Sequence, residues 1–166
     1  MYAFFHLRPP RPHRRSPHEL AIVFLVAPER YAGADVTSEL LGARYPTIPL
    51  GLITLAAMFP AHWTVRLINR NTETLDAADL DWADLVMTGG MLFQQADSLR
   101  LIRRAQARGK PIAIGGPDAT SSPHLYEDAS HLVLGEGEVT MPQFLADLAV
   151  GTAKKIYQDG KKADVQ

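Results

Sequence analysis

The chemistry open to this chain rests on carboxylates, histidines or bare backbone, because its 166 residues include no cysteine. That absence removes disulfides, thiolate metal sites, a cysteine nucleophile and any iron–sulfur cluster held by this chain. Glu136 and Glu138 stand two residues apart. On an extended segment they share a face, where paired carboxylates do acid–base work or hold a cation. Glu138 can equally favour the start of a helix through its dipole. Of the six histidines, His6, His13 and His18 lie near the start, and His62, His124 and His131 show no H-x-x-x-H spacing. A structural zinc needs four ligands close together, so each reads better as a surface residue. No G-x-S-x-G nucleophile elbow or G-x-x-x-x-G-K-[ST] phosphate loop occurs. Thr88 stands where an aspartyl-phosphate receiver would carry its aspartate.

Bare backbone is the stronger candidate. Gly89-Gly90, Gly115-Gly116 and Gly135-Glu136-Gly137 each follow a short apolar run. Glycine makes tight turns, and it also lets a ligand approach the main chain with no Cβ in the way. Three such turns at one edge of a parallel sheet point to a binding cleft. Its ligand would be large and flat or mainly apolar, held by backbone contacts and walled by Met91, Phe93 and Pro117.

The elements that position these turns can be read from periodicity. Asp84 to Thr88 is a strand, Phe93 to Arg108 a helix with Leu99, Ile102 and Ala105 at helical spacing, and Ile112 to Ile114 a second strand. This strand–helix–strand unit forms the core of an open α/β sheet. Leu20 to Val26 is a first, near-continuous apolar strand, as expected when helices cover both faces. Pro28-Glu29-Arg30-Tyr31 follows it, where a dinucleotide-binding fold would carry G-x-G-x-x-G. Glu29 to Thr47 is a long loop with a short helix near Ser38 to Ala43. Pro49 to Phe59 is a deeply packed helix, and Trp63 to Asn69 the second strand. Leu75 to Trp82 is amphipathic, with Leu80 and Trp82 packed and Asp76, Asp79 and Asp81 outward. Asp118 to Pro123 is a small-residue loop leading to a short helix near His124 to Asp128. His131 to Leu134 is the fifth strand, Met141 to Val150 the last helix, and Ile156-Tyr157 an exit strand.

The length suits one domain. With 17 basic and 18 acidic residues, no global field favours nucleic acid or a membrane surface. No apolar run approaches the roughly 20 residues of a bilayer span and no secretory signal is evident, so a cytoplasmic location is the default expectation. Arg8 to His18 is proline- and arginine-rich and reads as an extended, solvated arm. The domain reading is a leader over 1–19, an α/β domain over 20–157 and a polar linker or truncated end over 158–166.

Several of these residues, taken in order, resemble a known family. They are Pro49-Leu50-Gly51-Leu52 with Leu55-Ala56-Ala57, then Val65-Arg66-Leu67-Ile68-Asn69-Arg70-Asn71, then Ala83-Asp84-Leu85-Val86. Gly90-Met91 with Gln94, Gly115-Gly116-Pro117 with Thr120, and Gly135-Glu136-Gly137-Glu138 continue the series. The chain is similar, over about Leu20 to Tyr157, to the cobalamin-binding domain of cobalamin-dependent radical S-adenosylmethionine methyltransferases, in the branch that includes hopanoid methylases.

That resemblance implies a flavodoxin-like, Rossmann-like doubly wound sheet of five mainly parallel strands in the order 2-1-3-4-5. It implies cobalamin at the carboxyl edge, its nucleotide tail lined by Thr88, Gly89, Gly90, Met91 and Gln94, by Gly115, Gly116 and Pro117, and by Gly135, Glu136 and Gly137. The D-x-H-x-x-G motif that supplies the axial histidine in classical cobalamin domains is absent, as it commonly is in this branch, so no axial histidine is expected from this chain. The family often has serine at the position of Gly89, a departure that removes one side-chain contact. With no C-x-x-x-C-x-x-C motif, S-adenosylmethionine and the iron–sulfur cluster belong to a missing radical domain, present in cis or in trans. The expected function is to hold the corrin for methyl transfer by that domain, without catalysis by this chain alone. The alternative is a binding or regulatory module of the same fold that has lost cobalamin and uses the cleft for another ligand or partner.

Overall fold

The computed structural model describes residues 22–27, 50–70 and 73–159, with 22–27 and 50 described by backbone alone. The expected leader, the expected loop over 29–47 with its short helix near 38–43, and the last seven residues lie outside that set.

In chain order the elements are β1 (Ile22–Ala27), α1 (Leu50–Ala57), β2 (Leu67–Asn69), α2 (Ala77–Trp82), β3 (Leu85–Gly89), a 3-10 turn (Leu92–Gln94) and α3 (Gln95–Gln106). β4 (Ile112–Gly115), α4 (Gly116–Ser121), a second 3-10 turn (Pro123–Tyr126), β5 (His131–Leu134), α5 (Gly137–Ala149) and β6 (Ile156–Gln158) complete it.

The strands pair in parallel in the order β2-β1-β3-β4-β5-β6. The expected order 2-1-3-4-5 is therefore present, and the expected exit strand joins the sheet as its sixth member. Tyr157 holds that strand in place. It pairs in register with Val133, is 5 % exposed, and sets its ring 5.2 Å from Phe144.

Alternation along the inner strands explains why both faces are covered. Val86, Ile112, Ile114, Leu132 and Leu134 join Leu80, Leu101 and Ile102 in one core, against α2, α3 and α4. Leu85, Met87, Ala113 and Val133 join Met141, Phe144 and Leu145 in the other, with Leu55 of α1 packed against it. Successive side chains of a strand point to opposite faces, so a strand buried on both must be apolar throughout.

Several boundaries differ from expectation. The second strand shrinks to Leu67–Asn69, and the helix expected from Phe93 opens as a 3-10 turn before α3. The expected loop over 118–123 is mostly helix, because α4 begins directly at Gly116 with proline in its first turn. The last helix starts a turn early, at Gly137. Asp79 does not face outward: it is 8 % exposed and pairs with Arg66 at 2.6 Å. Among the described residues, no helix is long and apolar enough to cross a membrane.

Candidate functional site

Parallel pairing brings the ends of β3, β4 and β5 to one edge. Gly89 pairs with Gly115, and Gly115 with Val133, so the three turns begin side by side. The β2–β1–β3 arrangement puts the topological switch point between β1 and β3, and open α/β sheets bind ligands beyond the strand ends at such a point. The turn after β3 borders it.

The glycines there have a packing role that the sequence did not reveal. A Cβ on Gly115 would lie 2.5 Å from the Val133 carbonyl oxygen, and one on Gly89 would lie 3.0 Å from that of Gly115. Gly116 has φ +89°, and its Cβ would meet the Gly90 nitrogen at 3.1 Å. A Cβ on Gly137 would lie 2.9 Å from Leu55 Cδ2. Glycine at these positions lets one turn stack on the next, and α5 on α1. The peptide groups of Gly89, Gly90, Gly115 and Gly116 remain half-buried at the edge.

Thr88 lies one residue inside the edge and is 5 % exposed, the one buried member of the predicted set. Gln94 is half-buried, and its Oε1 accepts the Met91 N–H at 3.0 Å, so it closes its own turn. Met91, Leu92 and Phe93 form an apolar lip beyond β3, exposed by 49 %, 71 % and 55 %. Pro117, Gly135 and Glu136 are exposed along the same edge.

Glu136 precedes α5, and its carbonyl accepts the Val139 and Thr140 N–H groups at 3.0 and 3.1 Å. Glu138 lies in the first turn of α5. The two therefore do not share an extended face; the helix separates them, and Glu138 faces a favourable dipole. His131 stands at the amino end of β5, at the opposite edge, with Nδ1 2.6 Å from the Lys154 carbonyl oxygen. Among the described residues, no group of three histidines and carboxylates is placed to hold a metal ion.

Sequence reasoning missed the polar network behind the turns. Asp118, 4 % exposed, accepts Gln95 Nε2 at 3.2 Å on each oxygen and also accepts the Tyr126 hydroxyl. Burial first, then Asp118 through its hydrogen bond and its charge, pushes the Tyr126 phenol well above the ordinary tyrosine value. Asp97, buried in α3, accepts Arg70 at 2.5 Å and Arg100 at 3.0 Å, which ties the end of β2 to the first turn of α3. The available signal was slight: polar residues one turn into helices that follow glycine turns.

A family model described as the B12 binding domain matches residues 40–145. An uncharacterised methyltransferase of Synechocystis is 36 % identical over 146 residues, covering 87 % of this chain and 27 % of the relative. The hopanoid C-2 methylase of Rhodopseudomonas palustris is 35 % identical over 100 residues, covering 60 % of this chain and 19 % of the relative. The bacteriochlorophyllide d C-12(1)-methyltransferase of Chlorobaculum tepidum is 25 % identical over 126 residues, covering 74 % and 27 %. The matched stretches thus span 27 % or less of these relatives. No solved structure matches the chain at a significant level.

Proposed function

The chain belongs to the B12 binding domain family, and on that premise we propose that it holds cobalamin at the carboxyl edge of its sheet. One observation carries the reading: the matched segment, residues 40–145, contains all the glycine turns that the fold gathers at that edge. The residues present fit such a ligand. Turn stacks on turn without side chains between them, which leaves a low, backbone-rich edge for a nucleotide tail. The Met91-Leu92-Phe93 lip beside it offers apolar area to a corrin ring.

The tail would run past residues 88–91 and Gln94, then 115–117 and 135–137. When bound, the corrin supplies the methyl-carrying cobalt, and the chemistry is the cofactor's. The protein's contribution is to bind and orient. Peptide N–H and C=O groups of the turns would hydrogen-bond the tail, while Met91, Leu92 and Phe93 would keep water from one face of the ring. These three relatives are all named as methylating enzymes, which supports methyl transfer as the purpose. Lacking cysteine, the chain would act with a radical S-adenosylmethionine domain that carries the iron–sulfur cluster, in cis or in trans.

The test is a visible spectrum after incubation with hydroxocobalamin and removal of unbound ligand. Retained corrin absorbance near one per chain is expected. Met91→Asp, which places a charge on the lip, should weaken it, whereas Val150→Asp, 72 % exposed at the far end of α5, should not. No retained corrin at high protein concentration would turn the function towards a module using the same edge for another ligand.

A further inference from the structure

Strand pairing holds the three turns together only as far as Gly89↔Gly115 and Gly115↔Val133. Beyond those pairs, besides the packing of glycine on glycine, α4, a helix of six residues, bonds to the turns on both sides. On the β3 side, the Asp118 N–H donates to the Gly90 carbonyl at 3.2 Å, and the Asp118 carboxylate takes Gln95 Nε2, at the start of α3. On the β5 side, the Thr120 hydroxyl donates to the Gly116 carbonyl at 2.9 Å and accepts the Gly135 N–H at 3.0 Å. Two residues of one helix, Asp118 through its main-chain N–H and Thr120 through its hydroxyl, thus connect all three turns.

We infer that Thr120 and Asp118 are positioning residues of this site, holding the β3, β4 and β5 turns in one relation so that their peptide groups form a preformed edge. As a statement about cobalamin, the inference rests on the reading above. Preorganisation of this kind raises affinity by sparing the ligand the cost of ordering loops. Neither hydroxyl bond of Thr120 belongs to the strand ladder, so its loss should be felt in the turns before the fold.

The experiment uses the full chain, with Thr120→Val and Thr120→Ser beside wild type. Hydroxocobalamin titration and site-resolved amide hydrogen exchange are the readouts. Thr120→Val keeps the side-chain volume but removes both bonds. It should weaken binding about fivefold, the equivalent of one hydrogen bond of about 1 kcal/mol. Exchange should quicken at residues 135–137, with far-ultraviolet circular dichroism unchanged. Thr120→Ser should restore both. Gln95→Leu, which takes the donor from Asp118, should quicken exchange at residues 89–91. Binding by Thr120→Val within about twofold of wild type overturns the inference, as does unchanged exchange or failure of Thr120→Ser to rescue. If wild type retains no corrin, the cobalamin reading falls, and the exchange data alone decide: the pattern described supports positioning of the turns, and unchanged exchange overturns it.

Discussion

Replacing Gly116 by alanine tests the turn-on-turn packing at the centre of the site. Two costs add. At φ +89° the new Cβ crowds its own backbone, which costs about 1–2 kcal/mol for an L-residue in this region. The same Cβ would stand 3.1 Å from the Gly90 nitrogen and 3.3 Å from its oxygen, so one turn must shift, an overpacking cost of about 1–3 kcal/mol. A total of about 2–4 kcal/mol is expected, with the contact part near its lower end because a few tenths of an ångström relieve it. Gly109 supplies the control. It has φ +65° and nothing within 4 Å of its Cβ position, so alanine there meets the first cost alone. Urea denaturation of both variants, followed by fluorescence of Trp63 and Trp82 from the two cores, measures the difference. Gly116→Ala should lower the midpoint by about 1–2 M, and Gly109→Ala by clearly less. Equal losses would refute the packing account, since backbone conformation alone would then explain both.

Other consequences concern the network behind the turns. Asp97→Ala should cost about 3 kcal/mol, because Arg70, its side chain only 10 % exposed, loses a carboxylate at 2.5 Å. Arg100→Ala, 55 % exposed on the same carboxylate, should cost less than about 1 kcal/mol; equal midpoints in urea would count against the buried pair. Stability should also depend on Tyr126 at high pH. Its folded value is raised, so its contribution is whole below the ordinary value of 10.0 and shrinks as pH climbs beyond it, where the unfolded phenol ionises and the folded one does not. The urea midpoint of wild type should therefore fall more steeply above about pH 10 than that of Tyr126→Phe. Parallel declines would remove Tyr126 from the account.

Much of the fold was legible in local pattern. β3, β4 and β5 stand where apolar runs meet glycine, and α3 lies within one turn of its predicted span. A strand buried on both faces has to write its burial into consecutive residues, and a turn at its end has to write its tightness into glycine. The order of those motifs along the chain was enough to suggest the family that the comparison then matched.

Tertiary structure decided what local pattern cannot hold. Asp79 looked like an outward residue of an acidic helix until Arg66, far along the chain, came within 2.6 Å. The segment after Gly116 looked like a loop because it is rich in small and polar residues, yet contacts with Gly90, Gln95 and Gly135 make it the helix behind the site. Ile156–Gln158 has one apolar pair and becomes a sheet strand because Val133 and Phe144 meet Tyr157. The sequence by itself determined which residues end the strands, since that depends on neighbours in the chain. What fills the space beside each glycine depends on neighbours across the sheet, and only the folded chain brings those together.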